Sequence, residues 1–238
     1  MRDAGRPGQI EKTIRMNDVL LIIPAFNEEA NIERVVDELI NNHSNLDYVI
    51  INDGSTDNTS RISHDRGYNI IDHPENRGLA AAFHTGMKYA CENRYRYCVQ
   101  FDGDGQHRAE FVIPMKEKMD EGYNIVIASR FINSKKPVTM RMLGSNMIQA
   151  SIRKRTGVDI KDPTSGMRMY DRGLIEKFAN GLNLPPEPST LAYLIGEGSK
   201  VAEIPAVMDE RIGGVSYLTP VQASKYMVKV LKDIWTKY

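Results

Sequence analysis

Phe101-Asp102-Gly103-Asp104-Gly105-Gln106-His107 follows directly on Tyr97-Cys98-Val99-Gln100, a short apolar run with the make-up of a buried strand. The acids therefore emerge where that strand ends. Aspartates one residue apart point to opposite faces of an extended chain, so Asp102 and Asp104 can share a ligand only where the backbone turns. Gly103 and Gly105 supply the freedom for that turn. Two carboxylates with the side-chain carbonyl of Gln106 nearby make an oxygen-rich set suited to a hard divalent ion, Mg²⁺ or Mn²⁺. Such a site would take a diphosphate as its remaining ligand. Taken alone, the heptad reads equally well as an Asp/Gly turn that binds nothing. A calcium EF-hand is excluded, because the further acids and the closing Glu are missing after His107.

The stretches on either side bear on that choice. Val19 to Ile23 is a continuous apolar run stopped by Pro24, the pattern of a strand buried on both faces. Behind it Asn27 is placed to cap a helix carrying Ile32, Val35, Val36, Leu39 and Ile40 at helical spacing. Tyr48 to Ile51 is a second strand running into Asn52-Asp53-Gly54-Ser55-Thr56-Asp57, with Ser55 as the expected cap of the next helix. Asn69 to Asp72 is a short third strand, and Asn76-Arg77-Gly78 opens a helix with Leu79, Ala82, Phe83, Met87 and Ala90 on one side. The strand ending at Phe101 is the fourth, and Asn124 to Ala128 the fifth, after a helix over 110–121. Strands alternating with helices predict an α/β fold with a mostly parallel sheet covered on both faces. Ligands of such sheets bind beyond the carboxyl ends of the strands, where Asn27, Asp53, Asp102 to Gln106 and Ser129-Arg130 all fall. That coincidence favours the functional reading of the acidic heptad.

The second half is less regular. Val138 to Arg155 carries Met140, Leu143, Met147 and Ser151 on one helical side, and Gly173 to Asn180 reads as a helix. A further helix from Ser189 leads into a strand at Val201 to Pro205. From Thr219 an amphipathic helix closes the chain, with Met227, Val230, Leu231 and Ile234 on one side and Lys225, Lys229 and Lys232 opposite. Packing on the domain is the expected role of its apolar stripe, with a membrane surface as the alternative for Trp235 and the lysines. Residues 1–15 show no periodicity and are expected to be a disordered arm or a tag remnant.

Composition narrows the function. The 238 residues carry 31 Lys+Arg against 31 Asp+Glu, so nothing global points to a nucleic-acid partner. The two cysteines, Cys91 and Cys98, imply a reducing, cytoplasmic setting rather than a disulfide framework. No apolar run is long enough to span a bilayer. The glycine fingerprint of dinucleotide folds is absent, since Pro24-Ala25-Phe26-Asn27-Glu28 stands where it belongs, and a Walker phosphate loop is absent too. The five histidines lack metal-ligand spacing, and His107 is expected behind the acids rather than as a ligand.

Pro24 to Glu28, Asn52 to Asp57, Asn76-Arg77-Gly78, Asp102 to His107, Ser129-Arg130 and Thr164-Ser165-Gly166-Met167-Arg168 occur in the order seen in family 2 glycosyltransferases of the GT-A fold. Within that family the chain is similar to the dolichol-phosphate mannosyltransferase and polyprenyl-phosphate sugar transferase group, from about Val19 to Tyr217. The resemblance implies a GT-A domain over 16–218, with a nucleotide-sugar half (16–130), an acceptor half (131–218) and a terminal helix (219–238). It implies that Pro24, Ala25, Asn27, Glu28, Asn76, Gly78 and Gly103 line the nucleotide-sugar pocket and that Asp53 binds the base. Asp102, Asp104 and Gln106 would hold the metal, and Arg211 and Ser216 would close over the diphosphate. Ser129, Arg130, Thr164, Ser165 and Arg168 would face the acceptor, with Arg168 gripping a lipid phosphate. The implied activity is inverting transfer from a UDP- or GDP-sugar to a polyprenyl phosphate. The alternatives are a saccharide hydroxyl in cell-wall or capsule assembly, with Glu187 or Asp162 as base, and an inactive nucleotide-sugar binding module. Two features depart from the pattern: Tyr217 stands where such relatives often place Lys, and no membrane-spanning run follows. A homodimer and a peripheral membrane contact stay open as partners.

Overall fold

In a computed structural model the residues described are 18–209 and 220–236. They form one seven-stranded sheet in the order β3-β2-β1-β4-β6-β5-β7. The central strand β1 (Val19–Ala25) pairs in parallel with β2 (Asp47–Asn52) and with β4 (Tyr97–Gln100), and β3 (Ile70–Asp72) extends the sheet beyond β2. Every residue of the apolar run in β1 is buried because both faces are covered. Leu20 and Ile22 pack with Phe83, Met87 and Phe178 on one side, while Val19, Leu21 and Ile23 pack with Val35, Val36 and Met115 on the other. Truncating one such core side chain to Ala typically costs about 2–5 kcal/mol.

The five predicted parallel strands and the one at Val201 are present. The sheet also holds a strand that hydrophobic patterning did not reveal. β6 (Arg168–Asp171) lies antiparallel between β4 and β5 (Ile125–Ser129), and β7 (Val201–Pro205) pairs in parallel with β5. β6 has only four residues with a charge at each end, too short to display a period. Its reversal matters for function. An antiparallel strand begins where its parallel neighbours finish, so Arg168 opens β6 opposite Gln100, the last residue of β4.

The helices fall close to the predicted places. On one face lie α1 (Ile32–Asn42) and α4 (Val112–Asp120), whose buried residues join the cluster of Leu21 and Ile23. The other cluster draws on α3 (Leu79–Glu92), α5 (Met140–Thr156), α6 (Arg172–Ala179), α7 (Pro188–Gly196) and α8 (Pro220–Thr236). α2 (Thr59–Asp65) follows β2. Thr139 caps α5 by accepting from the Met142 amide, and Asp171 caps α6 by accepting from Leu174. Two expected caps are corrected. α1 starts only at Ile32, and Asn27 instead adopts a left-handed φ of 56°. Ser55 does not cap α2 either; Asp57 accepts the Thr59 amide there. Asn27 and Ser55 serve each other, as described below. The predicted packing of the terminal helix holds for Val230 and Ile234, which are fully buried.

Gly86 in α3 shows how closely helix and sheet approach. A Cβ there would stand 2.2 Å from Cγ2 of Ile22. Glycine to alanine inside a helix ordinarily stabilises by up to about 1 kcal/mol, but here the methyl group collides with β1. Gly86→Ala is therefore expected to destabilise by about 1–3 kcal/mol, read as a lower urea midpoint at unchanged slope.

Candidate active site

The acidic turn is built on His107. The Asp102 amide donates to Nδ1 of His107 at 2.9 Å, and Nε2 of the same ring lies 3.3 Å from Oδ2 of Asp102. A ring nitrogen that accepts from an amide leaves the proton on the other nitrogen. Nε2–H therefore faces the Asp102 carboxylate, and one buried imidazole fixes both ends of that residue. Asp104 is buried, and its Oδ1 accepts from the Gln106 amide at 3.0 Å. Gly105 takes a φ of 78°, and a Cβ there would lie 2.0 Å from the Arg34 guanidinium. Gly103 and Gly166 bring two other segments in: a Cβ on the first would be 3.2 Å from the Pro24 carbonyl, and on the second 3.2 Å from Oδ2 of Asp102. The Gln106 side-chain amide donates to the carbonyl of Asp209, whose amide donates back to the Gln106 carbonyl. Arg108 grips the Asp209 carboxylate through Nε and Nη2 and holds it below the usual carboxylate range. Among the described residues no three His, Cys, Asp or Glu side chains converge as a metal cluster. The turn itself carries the carboxylates of Asp102 and Asp104 and the side-chain amide of Gln106.

The residues predicted on the nucleotide side lie at the ends of β1 and β2 and are bonded mainly to one another. The Asn27 amide donates to Ser55, and Oδ1 of Asn27 accepts from the Thr56 amide at 2.8 Å. The Glu28 amide donates to the Thr59 hydroxyl, and Glu29 accepts from Asn58. Asp53 is buried, and its carboxylate accepts from the amides of Arg77 and Gly78 and faces Nδ1 of His73 at 2.7 Å. Its first task is therefore to hold the Asn76-Arg77-Gly78 loop. Pro24 and Ala25 close β1 alongside Gly103. Arg211, Ser216 and Tyr217 lie outside the described residues.

The acceptor-side residues converge on a cavity of about 470 Å³ between α5 and α8, beyond the carboxyl end of β4. Asp102, Gln106, Arg130, Thr164, Ser165, Arg168 and Glu187 all line it. Arg168 is 3 % exposed, and its guanidinium donates to the carbonyls of Pro163, Ser165 and Glu187. None of the ion pairs among the described residues includes it, and the groups that meet its charge there are these three carbonyls and the Tyr170 side chain. Ser165 donates to the Ala128 carbonyl, while Ser129 is buried with its hydroxyl unpaired. Sequence reading overlooked Gln100, a polar residue ending a buried strand, whose Oε1 is buried, unpaired and on the cavity wall. It also overlooked the apolar wall of Ile148, Tyr226 and Met227.

Asp162, named above as a possible base, is engaged by Arg130. Its side chain is 0 % exposed and bound by Nε and Nη2 of Arg130 at 2.7 and 2.8 Å. Burial alone would raise the carboxyl, but Arg130 and Thr164 outweigh it and hold it below the ordinary value. Arg130 in turn is committed to Asp162 while it lines the cavity. Glu187 is also on the wall, with both oxygens 3.0 Å from Nζ of Lys229.

The sheet and its order of strands are those of the GT-A fold. The family model of glycosyl transferase family 2 matches residues 20–178, and the chain belongs to that family. Polyprenol monophosphomannose synthase of Mycolicibacterium smegmatis is 26% identical, over 94% of this chain and 89% of that protein. The UDP-N-acetylglucosamine–dolichyl-phosphate N-acetylglucosaminyltransferase of Methanococcus voltae is 28% identical, over 79% and 84%. Glucosyl-3-phosphoglycerate synthase from Mycobacterium tuberculosis, solved with Mn²⁺, UDP and phosphoglyceric acid, superposes with a TM-score of 0.63 at 18% identity, over 91% of this chain and 78% of that one. The protein is a glycosyltransferase.

The Arg130–Asp162 pair carries a pH signature. Its folded-state carboxyl lies below the unfolded value of about 3.9, so the stabilisation is complete above about pH 4 and is lost as pH falls through the folded value. Asp162→Asn is expected to cost about 3 kcal/mol at neutral pH. The deficit against the unaltered protein should shrink on acidification below about pH 4, as read by urea unfolding across a pH series.

Proposed function

We propose that the protein moves a hexose or related sugar, with inversion, from a UDP- or GDP-linked donor to a polyprenyl phosphate, with Mg²⁺ or Mn²⁺. The observation that carries this reading is the guanidinium of Arg168, buried, unpaired with any carboxylate among the described residues, and on one cavity wall with Asp102 and Gln106. A buried cation without a counter-ion favours an anionic ligand. An acceptor phosphate is already an anion and needs no general base. In keeping with that, both candidate carboxylates are engaged, Asp162 by Arg130 and Glu187 by Lys229. The apolar side chains of Ile148 and Met227 on the same wall suit the first units of a prenyl chain. A saccharide hydroxyl would need a carboxylate base, and no observation favours one.

The residues fit a divalent ion. Asp102, Asp104 and the amide oxygen of Gln106 are hard donors on one turn, and two carboxylates leave room for a diphosphate. Bound there, the ion would neutralise charge developing on the departing nucleoside diphosphate. The chain's own part is to hold the turn. His107 orients Asp102, Arg108 and Asp209 fix the backbone around Gln106, and the bonds between 27–29 and 55–59 set the nucleotide side. Asp53 would meet the base while it holds the 76–78 loop. The nucleotide-sugar half and the acceptor half share one sheet, which fixes donor and acceptor groups relative to each other. Two unbridged cysteines suit a cytoplasmic location, and among the described residues no helix is long and apolar enough to cross a membrane.

The test is transfer of labelled sugar from UDP- and GDP-sugars to a polyprenyl phosphate, with Mn²⁺ or with EDTA. Lipid-linked product that EDTA abolishes is expected, and Asp104→Asn should lower the rate by about a hundredfold to a thousandfold. Transfer to saccharides with polyprenyl phosphate inert would sink the lipid acceptor. His107 gives an independent reading. His107→Leu should weaken Mn²⁺ binding in the presence of nucleoside diphosphate by about tenfold or more, followed by EPR of the free ion. His107→Gln, which restores an N–H toward Asp102, should recover most of the affinity.

A further inference from the structure

The described face outside the cavity that stands apart from the rest of the surface is the pair α5 and α8. Met140, Leu143 and Met147 recur at i, i+3 and i+7 on α5 and are 78 %, 54 % and 51 % exposed. Val228 and Trp235, seven residues apart on α8, are 68 % and 47 % exposed. The helices run in the same direction. Met227 packs against Gly144, and one helical stretch further on Lys154 places its ammonium 5.6 Å from the centre of the Trp235 ring. Lys154 follows Met147 by seven residues, so it continues the apolar stripe of α5, and its contact with Trp235 joins that stripe to the one on α8. The two stripes thus form one exposed apolar face straddling the seam between the helices. Ile148 and Ser145, buried on α5, and the half-buried Tyr226 and Met227 on α8 wall the cavity beneath.

The exposed charges carried by the two helices themselves have one sign, while Asp159 beside Arg153 and Glu187 paired with Lys229 are acids that approach from neighbouring segments. α5 contains no Asp or Glu, and the acid of α8, Asp233, is buried. Arg153, Lys154, Arg155, Lys225 and Lys232 are exposed along the two helices. This concentration stands out in a chain whose total charge is zero. We infer that the α5–α8 face docks on an anionic lipid surface, its methionines, Leu143, Val228 and Trp235 entering the interface and its lysines and arginines meeting the headgroups. Apolar residues with a tryptophan on one helical face and basic residues at its border are the pattern of interfacial helices. A second copy is a poorer occupant. A two-fold interface would bring this face against itself and oppose basic clusters of like sign. The inference rests on the helix pair alone and does not depend on the acceptor proposed above.

Trp235 is the single tryptophan of the chain, so its fluorescence reports on this face directly. The full chain is mixed with phosphatidylcholine vesicles, with or without phosphatidylglycerol, free of polyprenyl phosphate and of nucleotide sugar. Expected with the anionic vesicles are a blue shift of Trp235 emission, protection from a soluble quencher and co-flotation, all weakened by salt. Leu143→Glu with Met147→Glu should abolish flotation while Mn²⁺-dependent binding of UDP or GDP in vesicle-free solution is unchanged, which shows the variant folded. Lys154→Gln and Lys232→Gln should each weaken partitioning roughly fivefold. Unchanged Trp235 emission with anionic vesicles overturns the inference, as does equal binding to neutral vesicles. A dimer in sedimentation that Leu143→Glu dissociates overturns it in favour of a second copy. Vesicle binding without sugar transfer would leave this inference standing and count against the proposed acceptor; transfer to a short soluble prenyl phosphate without vesicle binding would do the reverse.

Discussion

The guanidinium of Arg168 is held by the carbonyls of Pro163, Ser165 and Glu187, and this set of bonds ties together the parts that wall the cavity. Two of the carbonyls belong to the loop that precedes β6, and the third leads into α7. A planar cation with donors in several directions can gather three backbone segments at once. Its burial without a carboxylate carries a desolvation cost that carbonyl dipoles only partly offset. The fold accepts that cost at one place, the rim where β4, β5 and β6 meet. The neighbouring cation, Arg130, is neutralised by Asp162 instead, so the two arginines of the rim are electrostatically different although both line the same cavity.

That rim exists because β6 is reversed. Parallel strands alone would send the 162–168 loop to the far side of the sheet from the acidic turn. An antiparallel strand between β4 and β5 returns it to the carboxyl ends, with Arg168 opposite Gln100 and Gly166 close enough to Asp102 that a methyl group would crowd the carboxylate. Glycine is therefore needed at 166 for close approach, and at 105 for a left-handed turn. On the other side of the turn, Gly103 lies against the Pro24 carbonyl. Three backbone segments remote in sequence meet around two carboxylates, with His107 fixing one of them.

Polar groups at this end of the sheet divide into those the protein satisfies and those it leaves open. Asn27, Asp53 and Asn52 are used internally and stiffen the loops after β1 and β2. Gln100 and Ser129 keep buried oxygens without a partner, which costs stability unless water or a ligand completes them. The open groups lie on the side of β4 and β5, where the cavity is, and the closed ones on the side of β1 and β2. Hydrogen-bonding capacity is thus used up at the ends of β1 and β2 and left open beside the 470 Å³ cavity.

Much of this was legible in the order of residues. Apolar runs ending in acids, asparagines and glycines marked the strand ends, because burial demands apolar continuity and turns demand Gly and Asx. The family motifs located the acidic turn, the 27–28 and 53–57 loops and the 164–168 segment. Local patterning misplaced the roles of Asn27 and Ser55, since a capping residue is defined by where the helix begins and not by its type. It also missed β6, whose four residues are held by pairing on both sides rather than by any propensity of their own. The fate of Asp162 was equally closed to local reading. A carboxylate in a loop looks available until a guanidinium 32 residues away binds it in the interior. Sequence by itself determined the class of sheet, the ends of its strands and the family. Tertiary structure alone decided which charges are paired, which are buried without a carboxylate beside them and which apolar side chains stay outside, because those outcomes depend on distances between segments that only the folded sheet brings together.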